Sequence, residues 1–249
     1  MHKKIFYALA LLALMGILGL FFYGPVAQWA SYHDFAYKTI ICGIPNFTDT
    51  VSNTTFLLAG IFVLFNLKNF SAEYKFFFLA MGVSLCCLFA GSVFYHLSPN
   101  DVRLVWDRLP IASFFSLLFL QILFEMKILN LNTKTFKLAV IYWLGSCSSV
   151  FVWFHTADLR MYAFAQFFPL ASLLILTPYC FIIKKNRRAW VLLAIISGYA
   201  LAKVFEKFDY QTLMLTNGFI SGHTTKHTIA GLTILLYFYM YKNYLIDRK

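Results

Sequence analysis

Two histidines near the carboxyl-terminal end of the chain, His223 and His227, are four positions apart. In an α-helix this spacing places both imidazoles on one face, about 6 Å apart at Cβ, where they can bind one metal ion. A third histidine, His96, ends an apolar stretch in which Ser92 lies one helical turn earlier. Three neutral histidines suit Zn²⁺ and leave a fourth coordination position for water, which is typical of catalytic zinc sites. An HxxxH pair alone is more often a pair of polar residues at a membrane surface than a metal site.

A carboxylate and a hydroxyl accompany these histidines. Asp107 follows His96 by eleven residues. At a hydrolytic zinc site, such a carboxylate can accept a proton from water and later deliver it to the leaving group. The hydroxyl of Ser92 can donate a hydrogen bond to the developing oxyanion, a contact worth about 3 kcal/mol where it operates. The sequence therefore predicts metal ligands at His96, His223 and His227, with Asp107 and Ser92 as catalytic residues.

These residues can meet only if the segments that contain them become neighbouring helices. Of the 249 residues, 61% are hydrophobic and 12% are charged, whereas about a quarter of a soluble domain is charged. Apolar stretches of about twenty residues are the length that a bilayer requires. The composition predicts an all-α, polytopic transmembrane helical bundle that forms a single domain over residues 1–249. The eight predicted spans are Ile5–Tyr23, Val51–Leu67, Phe76–His96, Leu109–Met126, Phe136–Phe154, Met161–Ile183, Trp190–Phe205 and His223–Tyr241.

The first span resembles a signal peptide, because Lys3 and Lys4 precede an apolar stretch. That stretch is longer than a usual signal-peptide core, and Gly24 to Ala27 form a poor cleavage site. We therefore expect an uncleaved span in residues 1–30, added to a core of residues 34–249.

The basic residues predict the orientation in the membrane, since Lys and Arg accumulate on the cytoplasmic side. With a cytoplasmic amino terminus, fourteen of the 21 basic residues fall inside and seven outside. The inside set is Lys3, Lys4, Lys68, Lys75, Lys127, Lys134, Lys137, Lys184, Lys185, Arg187, Arg188, Lys242, Arg248 and Lys249; the outside set is Lys38, Arg103, Arg108, Arg160, Lys203, Lys207 and Lys226. Both termini are then cytoplasmic, and the histidines lie at the non-cytoplasmic face. The net charge of +11 is accordingly explained by topology, and we expect no nucleic-acid partner.

Several motifs in this order resemble the alkaline ceramidase family, within the larger superfamily of seven-helix membrane hydrolases that includes the adiponectin receptors. They are SxxxH at Ser92 to His96, Asp107, and HxxxH at His223 to His227. The segments Phe47 to Asn53, Gly43 to Phe47, Arg103 to Pro110 and Asp158 to Arg160 add to the likeness, the last three to bacterial-type members. The resemblance extends from about Asp34 to the carboxyl terminus.

The resemblance implies hydrolysis of the amide of ceramide, or of a related N-acyl lipid, to a free fatty acid and an amine. It implies zinc at His96, His223 and His227, with Ser92 and Asp107 completing the active site. Animal members place a calcium site in an acid-rich segment before their first core helix. Here that segment has only Asp34 and Asp49 as acids, with Asn46 where an acidic ligand would stand, so calcium is not expected. Short loops and the bacterial-type motifs suggest a bacterial inner membrane, with a membrane lipid as substrate.

Three alternatives remain open at this point. A lipid hydrolase of the same superfamily could cleave an ester, since a zinc site does not itself discriminate amide from ester. A metal-binding receptor or transporter is a second reading, although a transporter should have acidic and polar residues near the midplane and here Glu125 and Glu206 lie near span ends. A structural membrane protein with incidental histidines is the third.

The 29 phenylalanines could line a tunnel for acyl chains or could simply pack helices.

Overall fold

Residues 2–184 and 187–245 are described by a computed structural model, and they form helices with no β-strand among them. The α-helices are α1 (His2–Tyr23), α2 (Phe47–Val51), α3 (Thr54–Phe65), α4 (Lys75–Leu97), α5 (Asp101–Glu125), α6 (Thr133–Thr156), α7 (Arg160–Pro178), α8 (Arg188–Lys207), α9 (Asp209–Leu215) and α10 (Gly222–Met240). Two of them continue as π-helical turns, Tyr179–Lys184 after α7 and Tyr241–Leu245 after α10.

The predicted all-α membrane bundle is confirmed. Among the described residues, seven helical segments are long and apolar enough to cross a bilayer. They correspond to the first seven predicted spans, with α2 and α3 together forming the second. The eighth, α10, is helical as predicted, but it is not among those seven because its first two turns contain two histidines, a lysine and three threonines.

The structure corrects the boundaries in two places. Helix α5 begins at Asp101 rather than at the predicted Leu109, because the side chain of Asn100 accepts a hydrogen bond from the main-chain N–H of Arg103 and so caps a polar first turn. Asp107 therefore lies in the second turn of α5 and does not open it. The short helix α9, in the connection before α10, was not predicted.

The helices run in alternating directions and form a bundle with two distinct ends. Helix α4 packs against α3 and α5, α10 packs against α3 and α8, and α7 contacts α5, α6 and α8. Helix α5 is buried along most of its length, whereas α1 is largely exposed and contacts the bundle through α7. The end of α4 meets the start of α5 and the residue before α2, and the end of α8 meets the start of α10, as the predicted antiparallel packing requires.

Contacts at the opposite end support the same arrangement. There, Arg188 at the start of α8 pairs with Glu125 at the end of α5 at 2.5 Å. Lys242, just after α10, donates to Asn66 at the end of α3 at 2.7 Å. Three of the basic residues assigned above to the cytoplasmic side, Lys185, Arg248 and Lys249, lie outside the described residues.

Candidate functional site

The three predicted metal ligands lie together at one end of the bundle. His96 is in the last turn of α4, and His223 and His227 are in the first two turns of α10. Each offers a ring nitrogen, and these nitrogens lie within 4.8 Å of one another. The ring centroids are 4.6 to 5.0 Å apart, and all three side chains are buried. Three imidazoles at these separations can share one metal ion.

The hydrogen bonds of His96 and His227 leave one ring nitrogen of each available to bind a metal ion. The Nδ1 atom of His227 is 3.2 Å from the main-chain carbonyl oxygen of Asp49 and 3.0 Å from the hydroxyl oxygen of Ser52. Because a carbonyl only accepts, Nδ1 donates and the lone pair is on Nε2. His96 has a buried Nδ1 atom with no hydrogen-bond partner among the described residues. An orphaned buried nitrogen of this kind needs a partner, and a cation in the cluster would supply one.

Two aspartates fix the start of α10. Asp49, fully buried in α2, accepts hydrogen bonds from the hydroxyls of Ser221, at 2.7 Å, and Thr224. Asp209, at the start of α9, accepts from the main-chain N–H of His223 at 2.7 Å. Carboxylates are favoured there because the first N–H groups of a helix lack partners and its dipole is positive at that end. The two aspartates therefore anchor the first turn of α10, which contains His223.

Glycines allow the helices of the site to approach closely. A Cβ atom on Gly91 of α4 would lie 2.0 Å from the carbonyl oxygen of Trp106 in α5. A Cβ atom on Gly222 would lie 2.1 Å from the carbonyl oxygen of Phe205 in α8. No larger residue fits either position without moving backbone. The first contact brings Ser92, next to Gly91, against the turn of α5 that contains Asp107.

The two predicted catalytic residues are neighbours in the structure. Ser92 is buried one turn before His96, and its side chain interacts with the half-buried carboxylate of Asp107. The predicted set of five residues therefore lies at one end of the bundle, on three helices that pack around it. Their catalytic and metal-binding roles remain predictions.

Phe35 covers the histidine cluster. This residue belongs to the segment between α1 and α2, it is buried, and its ring centroid lies 4.3 Å from that of His223 and 4.8 Å from that of His96. The segment is held by Asp209, whose second carboxylate oxygen accepts from the main-chain N–H of Ala36 at 2.9 Å. One aspartate therefore positions both the cover and a predicted ligand.

Four residues of the site were not assigned to it from the sequence. They are Phe35, Asp209, Lys226 and Asp49, the last of which was considered only as a calcium ligand. Lys226 lies between His223 and His227 in the sequence, so the spacing alone indicates that it is close to both histidines. Phe35 comes from a loop, where no periodicity indicates which side chains turn inward, and Asp209 begins the short helix α9, which was not predicted.

The residues considered for calcium have separate contacts. Asp34 pairs with Lys38 at 2.5 Å and accepts from the hydroxyl of Tyr210 at 3.2 Å. The hydrogen bond from Lys38, with that from Tyr210, lowers the pKa of the Asp34 carboxyl. Asn46 donates to the carbonyl oxygen of His96 at 2.8 Å, and Asp49 serves α10 as described above.

A small cavity of about 50 Å³ lies between α5, α8 and α10, and its lining is almost wholly apolar. Phe114 lies two turns beyond Asp107, Ala230 lies one turn beyond His227, and Tyr199 closes the side formed by α8. The cavity therefore lies one to two helical turns closer to the middle of the bundle than the cluster.

The fold and the site define an integral membrane helical bundle with three buried histidines gathered at one end. Neither a family model nor a curated protein sequence matches the chain.

Proposed function

We propose that the protein is a zinc-dependent membrane hydrolase that cleaves the amide bond of ceramide or of a related N-acyl lipid. The observation that supports this most strongly is the convergence of His96, His223 and His227, from two helices far apart in sequence, beside Ser92 and Asp107. Burial of the unpartnered Nδ1 atom of His96 is otherwise unfavourable, because buried polar atoms need partners.

Zinc would be bound by the three imidazoles, as the unpartnered Nδ1 of His96 and the lone pair on Nε2 of His227 favour. When bound there, zinc would polarise the substrate carbonyl and activate water. Asp107 accepts a proton from the attacking water and then returns it to the leaving amine. Ser92 donates a hydrogen bond to the carbonyl oxygen as negative charge develops on it.

The position of the site fits a lipid amide. The cluster lies at the end of the spans, where an amide head group would stand at the membrane surface. The apolar residues that line the small cavity between α5, α8 and α10 lie closer to the middle of the bundle than the cluster does. The hydrocarbon part of the substrate would extend in that direction while its amide reaches the histidines.

The site faces the non-cytoplasmic side, and both termini are cytoplasmic. This part of the proposal rests on the distribution of basic residues, fourteen against seven. The Lys184 to Arg188 cluster, in the connection between α7 and α8, contributes most to it. A bacterial inner membrane is the proposed location, on the resemblance and the short connections.

Zinc content and ceramide cleavage test the proposal when they are measured side by side on purified wild type, His227→Ala and His155→Ala. His155 is exposed near the end of α6, so its substitution is the matched control. We expect wild type and His155→Ala to contain one zinc per chain and to release fatty acid, and His227→Ala to do neither. Zinc-free wild type, or full activity in His227→Ala, would refute the proposal.

The same assay separates the alternatives. Release of fatty acid from an ester lipid but not from ceramide would indicate the ester-cleaving hydrolase. Bound zinc without hydrolysis of either lipid would indicate a metal-binding receptor. A transporter is disfavoured because the charged pairs Arg188–Glu125 and Lys226–Glu206 lie near the ends of the bundle rather than at its middle.

A further inference from the structure

The connection between α8 and α10, residues 208–221, exposes apolar side chains at the histidine end of the bundle. Six large ones are between 44% and 85% exposed: Phe208, Tyr210, Met214, Leu215, Phe219 and Ile220. The three most exposed, Met214, Leu215 and Phe219, lie around the turn that ends α9, and we refer to them as the apolar tip. Large exposed apolar side chains grouped in this way mark an interaction surface.

Another connection at the same end is polar. It joins α4 to α5, and its exposed residues include Ser98 and Asn100. In residues 208–221, by contrast, the one charged residue is Asp209. Its carboxylate oxygens accept hydrogen bonds from the main-chain N–H groups of Ala36 and His223. The apolar tip therefore has no free charge beside it in the sequence that would favour water.

The exposed surface of this connection continues from one side of α8, a helix long and apolar enough to cross a bilayer. Five large apolar residues of α8 and its carboxyl-terminal end are exposed: Trp190, Leu193, Leu201, Val204 and Phe208. An α-helix advances about 100° per residue, so these five fall within about 80° and form one stripe. An exposed apolar stripe on a membrane span faces lipid. Phe208 belongs both to this stripe and to the connection, so the two surfaces are continuous.

Two lysines indicate the level of the connection in the bilayer. Lys203 and Lys207 are exposed near the end of α8, and lysines near the ends of spans extend their ammonium groups to the lipid head groups. The connection begins directly after Lys207. Helix α9 has seven residues, so it is about 10 Å long, and it contacts both α8 and α10. It therefore stays at the level of the head groups, where interfacial helices bury apolar side chains about 5–10 Å deep.

We infer that residues 208–220 lie at the membrane surface and insert the apolar tip into the lipid leaflet at the histidine end. Lipid is favoured over a second copy of the chain because the connection continues the lipid-facing stripe of α8. Contact with the bilayer bears on the candidate site, because Asp209 begins α9 and also holds His223 and the segment that contains Phe35. The insertion requires neither zinc nor turnover, so it is independent of the proposed hydrolase.

Photo-cross-linking of the purified full-length chain in nanodiscs of phosphatidylcholine tests the inference. The photoreactive residue p-benzoylphenylalanine, which on irradiation reacts with nearby C–H bonds but not with water, replaces one residue at a time. Mass spectrometry then measures the yield of lipid adducts. We expect Leu215→p-benzoylphenylalanine and Phe219→p-benzoylphenylalanine to give about the same yield as Leu201→p-benzoylphenylalanine, on the lipid-facing stripe of α8. Ser98→p-benzoylphenylalanine, in the polar connection, is the matched control and should give a yield at least about tenfold lower, as suits a side chain outside the acyl region.

A yield at Leu215 or Phe219 as low as that at Ser98 would overturn the inference. Cross-linked dimers in place of lipid adducts would also overturn it, because they would indicate that a second copy covers the tip. Met214, which is 71% exposed, provides a third position with the same expected yield if one variant fails to fold. Lipid adducts at the tip of a protein that hydrolyses no lipid would leave the insertion standing and refute the hydrolase. Ceramide hydrolysis without such adducts would refute the insertion alone.

Discussion

The imidazole of His227 is held by Asp49, through a hydrogen bond of 3.2 Å from Nδ1 to the main-chain carbonyl oxygen. The hydroxyl oxygen of Ser52 lies 3.0 Å from the same nitrogen and donates to the same carbonyl at 2.9 Å. Helix α2 thus sets the tautomer of the His227 ring on α10. Such outer contacts orient metal-binding histidines and raise their basicity.

Ser52→Ala removes one of these two contacts while the carbonyl of Asp49 remains. We expect zinc affinity to fall about tenfold, the lower limit for loss of a group that orients a ligand. Competition with a chelator of known affinity would measure it. Thr54→Ala, at an exposed position two residues away, is the control and should match wild type; equal affinity in the two variants would show that Ser52 has no such role.

Asp107→Asn keeps the shape of the side chain but removes its capacity to accept a proton. We expect zinc content to be unchanged and turnover of ceramide to fall at least about 100-fold, the usual contribution of a general acid–base. Steady-state release of fatty acid, with metal analysis of the same sample, would measure both.

Asp101→Asn, at the exposed start of α5, makes the same chemical change outside the site and should retain activity. Loss of zinc from Asp107→Asn would contradict this assignment, because it would make Asp107 a metal ligand or a structural residue instead.

The helices and the histidine cluster could be predicted because each depends on a local pattern. Apolar stretches of bilayer length must be helical in a membrane, since main-chain groups there have no water partners. The spacing of His223 and His227 fixes their common face, and alternation of short connections brings His96 to the same end. No contact between distant residues was needed for these predictions.

Residues that act through tertiary contacts could not be predicted in the same way. Phe35 reaches the histidines from a segment without regular periodicity, and Asp209 caps α10 from the unpredicted helix α9. The start of α5 was placed too late, because its first two turns contain charged residues. The apolar stretch that indicated a span begins only after these turns. The pairing of Lys226 with Glu206 joins positions twenty residues apart, which no helical spacing relates.

Phe35→Ala would remove the ring that covers His96 and His223. We expect zinc to be lost to a chelator about tenfold faster than from wild type, because the apolar groups around a metal control the access of solvent. Stopped-flow detection of the released zinc would measure the rate.

Phe35→Leu, which retains most of the apolar cover, should lose zinc more slowly than Phe35→Ala. Phe65→Ala removes the same ring from an exposed position at the end of α3 and should match wild type. A rate in Phe35→Ala equal to that in Phe65→Ala would show that the ring does not protect the cluster.

Gly91→Ala would force α4 and α5 apart at the site. Its Cβ would stand 2.0 Å from the carbonyl oxygen of Trp106, a main-chain atom that can move only with its helix, and forcing extra atoms into a packed interior costs about 1–3 kcal/mol. We expect a lower thermal unfolding temperature and loss of ceramide hydrolysis, since Ser92 and Asp107 meet across this contact.

Gly145→Ala, in α6, has open space around its new Cβ and should be neutral or stabilising, because alanine favours a helix over glycine by about 1 kcal/mol. If both variants unfolded at the same temperature and retained activity, the close approach of α4 and α5 would not be required for the site.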